Sequence, residues 1–179
     1  MSQETKKTIH SSFWANIFRS PTERDDLVSA LKEIPIFKSL SARDIISFLN
    51  ILHDRNYLAG EFIFYQGDPG IGLYIIRDGE VMISRESEKG LKITLAVFQR
   101  GDFFGELALI DNDKRSASAI AKSDAKLSVI FKSDLDEYIE KYPKKGIKIL
   151  QGIAEITALR LRNLNEDYFN LRTEKNNGG

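Results

Sequence analysis

The sequence predicts a mainly β chain, a roll of about eight strands with helices before it and one long helix after it. Three observations carry this. The apolar period changes along the chain from about 3.6 residues to 2, then returns to about 3.6. Turn signals recur through the middle at a spacing of roughly 8–12 residues, the mark of a sandwich or closed barrel rather than strand–helix–strand units. After Pro143 a single apolar stripe keeps helical steps as far as Leu171.

Composition narrows the function classes. The chain has 179 residues, 26 Lys+Arg against 26 Asp+Glu, two histidines and no cysteine. That length allows one sizeable core, and zero net charge gives no field to draw nucleic acid or an anionic membrane. Without cysteine there are no disulfides or thiolate metal sites, and two histidines are too few for a multi-histidine metal centre. No apolar run of about 18 residues is present, and no signal peptide is evident, so a cytoplasmic setting is expected.

Residues 1–20 read as a mobile segment with a short amphipathic turn, in which Phe13, Trp14, Ile17 and Phe18 share a helical face. That face suits packing on the body of the protein or on a second subunit. Ser20-Pro21-Thr22-Glu23 supplies an N-cap, a proline at N1 and a glutamate at N3, so a helix starts there and carries Leu27, Leu31 and Ile34. Ser41-Ala42-Arg43-Asp44 starts another, with Ile45, Phe48, Leu49 and Leu52 at i, i+3, i+4 and i+7. His53 falls near the end of that helix, where a partly protonated imidazole suits the dipole.

The period then becomes 2. Leu91, Ile93, Leu95 and Val97 alternate with Lys92, Thr94, Ala96 and Phe98, and Leu127, Val129 and Phe131 alternate with Lys126, Ser128 and Ile130. Turn signals stand at Ala59-Gly60, Gly67 to Gly70, Asp78-Gly79, Lys89-Gly90, Arg100-Gly101, Asn112-Asp113 and Ser123-Asp124. Ser133 is expected to cap a helix to about Lys141, which Pro143 breaks. A long helix over 143–172 and a disordered tail over 173–179 complete the chain, leaving 21–142 as the roll with its helical flanks. Leu150, Ile153, Thr157, Leu161, Leu164, Tyr168 and Leu171 form a seam on the long helix that suits a homodimer interface. Gly146 and Gly152 offer points at which that helix can bend on ligand binding.

The chemistry is concentrated in Gly101-Asp102-Phe103-Phe104-Gly105-Glu106-Leu107-Ala108-Leu109-Ile110, followed by Arg115-Ser116-Ala117-Ser118. A glycine and a carboxylate open a short helix, and an arginine returns to the same neighbourhood from the next strand. A helix N-terminus presents free N–H groups and positive potential to an anion, and arginine adds charge-assisted contacts. A carboxylate does not bind phosphate, but it accepts from a hydroxyl such as a ribose 2′-OH. One anion and one hydroxyl together suggest a small nucleotide.

This segment resembles the phosphate-binding cassette of cyclic nucleotide-binding domains, the family of the bacterial catabolite activator protein, protein kinase A regulatory subunits and cyclic-nucleotide-gated channels. The resemblance extends through Ile36-Phe37-Lys38-Ser39-Leu40, Gly60-Glu61-Phe62-Ile63-Phe64, Gly67-Asp68-Pro69-Gly70 and Gly79-Glu80-Val81. It implies that the roll is a jelly-roll (double-stranded β-helix). By resemblance, Glu106 accepts from the ribose 2′-OH and Arg115 pairs with the cyclic phosphate. The N–H groups near Leu107 and Ala108 cradle its oxygens, Gly105 permits close approach, and Ser116 adds a hydroxyl contact compatible with cAMP or cGMP. Arg160, Asn163 and Tyr168 qualify as the lid over the base. The chain departs from relatives at Asp111-Asn112-Asp113-Lys114, where glycine or proline is frequent, so two carboxylates border the site.

The resemblance implies a regulatory module that binds a cyclic nucleotide, cAMP before cGMP, and passes a helix rearrangement to an effector protein. It is not an enzyme on this reading, and it needs no metal or other cofactor. About seven residues follow the long helix, too few for a helix-turn-helix, so a stand-alone bacterial-type member without a DNA-binding domain is expected. The alternatives are a ligand-free scaffold that docks partners through the Phe13-to-Phe18 segment and the last helix, with Glu106 and Arg115 paired to each other, and a β-roll enzyme, which lacks the histidine–carboxylate cluster for a catalytic metal.

Overall fold

The structure, a computed structural model, describes residues 21–111 and 113–177. The expectations for Phe13, Trp14, Ile17, Phe18 and the Ser20 cap lie outside the described residues.

Helix α1 (Pro21–Glu33) and a 3-10 turn at Pro35–Phe37 lead to helix α2 (Ala42–Phe48). Ser41 caps α2 with a reciprocal pair: its Oγ accepts from the Asp44 N–H at 3.2 Å, and Asp44 Oδ2 accepts from the Ser41 N–H at 3.2 Å. The helix is shorter than the apolar pattern suggests. A 3-10 turn follows at Leu49–Ile51, and strand β1 (Leu52–Tyr57) begins at Leu52. Leu52 is fully buried either way, so its apolar character did not distinguish helix from strand. His53 therefore sits in a strand rather than at a helix end, and its Nε2 lies 2.6 Å from Asp134 Oδ2.

Seven more strands follow: β2 (Phe62–Phe64), β3 (Gly72–Asp78), β4 (Val81–Glu86), β5 (Lys92–Phe98), β6 (Phe103–Phe104), β7 (Ser118–Ala121) and β8 (Ala125–Phe131). They form two antiparallel sheets, ordered β1-β8-β3-β6 and β2-β7-β4-β5, which is the expected eight-stranded roll. Among the turns, Gly79 has φ +82°, and a Cβ there would sit 2.2 Å from the Asp124 carbonyl oxygen. Only glycine fits that close crossing.

Strand β3 is buried on both faces, which explains its unbroken run Leu73-Tyr74-Ile75-Ile76. Tyr74 and Ile76 join Val81, Phe104, Leu127 and Val129 inside the roll. Leu73 and Ile75 join Leu31, Phe37, Phe48, Ile130, Leu135 and Ile153 in a second core against the helices. Leu109 of the cassette plugs into this second core. The alternation in β5 has a different meaning: Leu91, Ile93, Leu95 and Val97 are exposed, while Phe98 stacks on Phe104 at 6.1 Å.

Helix α3 (Lys132–Lys141) starts two residues earlier than expected. Phe131 is its N-cap with no side-chain bond, and Ser133 lies inside the first turn. Helix α4 (Pro143–Asn177) runs past residue 172, so the first part of the expected tail is helical. Ile149, Gly152, Ile153 and Ile156 bury one face of α4. A Cβ on Gly152 would lie 2.3 Å from the Ile36 carbonyl oxygen, and one on Gly146 would lie 2.7 Å from Ile139 Cγ1. Both glycines serve close packing within one continuous helix. The expected seam divides: Ile153 is buried, Thr157 half-buried, and Leu150, Leu161, Leu164 and Tyr168 exposed. The side chain of Leu171 lies outside the described set.

Candidate ligand-binding site

Strand β6 delivers the chain to Gly105, whose φ of +78° turns it into a 3-10 helix at Glu106–Leu109. The short helix expected here is this single turn, and its first N–H groups have no intrahelical acceptor. A Cβ on Gly105 would lie 2.6 Å from Arg115 Nη1 and 3.1 Å from the Gly72 carbonyl oxygen, so a side chain is excluded by contact as well as by conformation. The loop over 67–70 holds the returning strand: Gly67 N–H donates to the Arg115 carbonyl, and Arg115 N–H donates to the Asp68 carbonyl, both at 2.8 Å. Asp111 and Asp113 are exposed, which leaves their charges in contact with water.

Arg115 is 7% exposed. Its Nη2 donates to the Gly72 carbonyl at 2.8 Å and its Nη1 to the Gly105 carbonyl at 3.2 Å. Its Nε is buried with no acceptor among the described residues. The guanidinium carbon lies 4.2 Å from the Phe64 ring centroid and 5.6 Å from that of Tyr74. Burial pulls the Arg115 pKa below its usual value, an effect that neighbouring Tyr74 opposes. Burial likewise raises the Tyr74 hydroxyl.

Glu106 is buried too, yet it does not pair with Arg115. It accepts from Arg160 Nη1, whose Nη2 also donates to the Phe103 carbonyl at 3.3 Å. The Arg160 guanidinium lies 5.2 Å from the Phe103 ring centroid. Of the three lid candidates, Arg160 alone makes a recorded contact with the cassette. Asn163 is exposed, and the exposed Tyr168 ring contacts Arg172 at 5.1 Å. Ala108 is buried beside Gly70, whereas Leu107 and Ser116 are exposed.

The residues that sequence reasoning missed are Gly72, Phe64, Tyr74 and Phe103. Gly72 is the only one with a visible signal, a glycine opening an apolar strand, which marks a close backbone approach. Its Cβ would meet the Ile130 carbonyl oxygen at 2.3 Å. Phe64 and Phe103 carry no polar or charged group that would mark them as site residues in the sequence, and Tyr74 stands in the apolar run of β3.

A family model described as "Cyclic nucleotide-binding domain" matches residues 54–142. The chain belongs to this family. It is 36% identical over 132 residues to the cyclic AMP receptor protein of Thermus thermophilus, covering 74% of this chain and 59% of that protein. It is 35% identical over 103 residues to the cAMP-dependent protein kinase regulatory subunit of Hypocrea atroviridis, covering 58% of this chain and 21% of that one. The crystal structure of Thermus thermophilus catabolite activator protein matches with a TM-score of 0.69 at 34% identity, over 76% of this chain and 62% of that one. The cAMP-bound PfPKA-R fragment matches with a TM-score of 0.62 at 33% identity, over 66% and 42%. The chain thus spans less than two thirds of the length of these relatives.

For a cyclic nucleotide-binding domain the geometry has a direct chemical sense. A buried guanidinium with an unused Nε–H faces the same cassette as a carboxylate that accepts hydrogen bonds. The first suits an anion and the second a hydroxyl. Among the described residues no cluster of His, Cys, Asp and Glu can hold a metal ion, and no helix is long and apolar enough to cross a membrane.

Proposed function

We propose that the protein is a cyclic nucleotide sensor, with cAMP its first ligand, that regulates a partner protein through α4. The buried Arg115 with its unpartnered Nε carries this reading. A cyclic phosphate supplies the acceptor that Nε lacks, while Gly105, Leu107, Ala108 and Ser116 line its approach. Glu106 receives the ribose 2′-OH. That carboxylate is also the anchor of Arg160, so ligand and helix address one group. Binding then favours whichever arrangement of α4 leaves Glu106 best satisfied, the differential affinity that a population shift requires.

The exposed residues Leu150, Leu161, Leu164 and Tyr168 follow the helix at steps that keep one face, and a second copy of the chain would cover them. The module acts without catalysis, in the cytoplasm, with no nucleic acid or membrane partner of its own. Light scattering tests the homodimer, since a single-chain mass at tens of micromolar contradicts it. Isothermal titration with cAMP tests the sensor.

One observation favours the scaffold reading: without ligand, Glu106 and the Arg115 Nη groups already have partners. On that reading the same titration stays silent, and the last helix is a docking surface.

A further inference from the structure

Arg115 is a buried cation, yet among the described residues no carboxylate lies within salt-bridge distance of it. Its immediate compensation is two backbone carbonyls, the Tyr74 hydroxyl and an aromatic surface. The nearest ring is Phe64, at 4.2 Å from the guanidinium carbon. Phe64 is itself held from behind: its centroid lies 5.5 Å from Tyr74 and 5.9 Å from Phe104, and those two rings stack at 5.3 Å and 6°. The platform is therefore anchored in the interior of the roll. A cation over an aromatic face gains most when it is shielded from water, as this one is.

We propose that Phe64 is a positioning residue for phosphate recognition: its ring, backed by Tyr74 and Phe104, holds the Arg115 guanidinium so that Nε meets the ligand anion. The two carbonyls fix where the Nη groups lie, and the ring fixes the plane. Without the ring the guanidinium can rotate about these bonds, and binding must then order it. The inference rests on the sensor reading for its affinity consequence, but the placement of the ring under the cation stands apart from it.

The test compares Phe64→Leu and Phe64→Tyr by calorimetric titration with cAMP, together with the Arg115 Nε–H resonance of the ligand-free proteins by NMR. Loss of the ring in Phe64→Leu lowers cAMP affinity about 10-fold, equivalent to about 1.4 kcal/mol. Phe64→Tyr stays within about twofold of wild type, because it keeps the aromatic face. The wild-type Nε–H proton is displaced upfield by the ring current, the displacement disappears in Phe64→Leu, and Phe64→Tyr retains it. A structural role alone would give equal losses in both variants. Unchanged affinity in Phe64→Leu, equal loss in Phe64→Tyr, or a wild-type Nε–H proton at its ordinary position overturns the proposal. If Phe64→Leu does not fold, the wild-type and Phe64→Tyr spectra decide. Wild-type silence toward cAMP would overturn the sensor reading, and the NMR result would still decide the platform.

Discussion

Arg160 of α4 and Glu106 of the cassette form an ion pair between residues 54 apart in the sequence. It is unequal: the Glu106 side chain is 5% exposed and that of Arg160 is 42% exposed. The buried partner needs the pair more, since an uncompensated carboxylate in the interior is costly. The exposed partner loses little hydration in the pair, but its departure would leave Glu106 buried without a counter-charge. The contact ties α4 to the cassette.

Arg160→Gln should loosen α4 around residues 157–165 without unfolding the roll. Hydrogen exchange is expected to show faster amide exchange there, with β3 and β8 unchanged. Unaltered exchange in this segment would mean that Ile153 and Ile156 hold the helix by themselves.

Arg115→Ala should weaken cAMP binding by about 3–5 kcal/mol, because the phosphate charge is then buried without a counter-ion. It should also cost stability, which the sequence did not suggest. The Gly72 and Gly105 carbonyls lose their donors, at about 1–3 kcal/mol for a buried group left unpaired. Denaturant titration measures the second loss independently of ligand.

Much of this was legible in the sequence, and what was missed follows a pattern. The strands and their turns were readable because glycine marks the sharp reversals and period 2 marks a half-buried strand. Glu106, Gly105 and Arg115 were readable because a cassette is local in sequence. The partners of those residues were not. Arg160 was one of three equivalent candidates on a helix, and which turn reaches the cassette depends on long-range packing of Ile149, Gly152, Ile153 and Ile156 that the local sequence does not display. His53 was assigned to a helix because Leu52 is apolar and buried in either element. The exposed apolar side of β5 reads the same in sequence as a core-facing strand, since alternation gives the period but not which face is covered.

Gly152→Ala should destabilise the fold by about 1–3 kcal/mol, an overpacking cost rather than a loss of flexibility. The added methyl would meet backbone, the Ile36 carbonyl at 2.3 Å, which has little freedom to yield. In an unpacked helix the same change is stabilising by about 0.5–1 kcal/mol, so the sign of the shift in thermal midpoint decides between packing and hinge.

Asp44 gives a pH signature. Hydrogen bonding from Ser41, then from Lys145 at 3.1 Å, holds its carboxyl below the ordinary 3.8. A lowered folded-state pKa contributes stability that is present above the unfolded value and lost as pH falls through the folded one. The stability difference between wild type and Asp44→Asn should therefore be constant near neutrality and shrink below pH 3.8. A difference that persists at lower pH would trace to packing instead of charge.

The most direct measurement is a calorimetric titration of the wild-type protein with cAMP and with cGMP. The account predicts saturable binding of one nucleotide per chain at micromolar concentration or tighter, with cAMP the stronger ligand. No heat and no saturation at millimolar concentrations of either nucleotide would contradict it, and would leave Arg115 and Glu106 as parts of a self-contained scaffold.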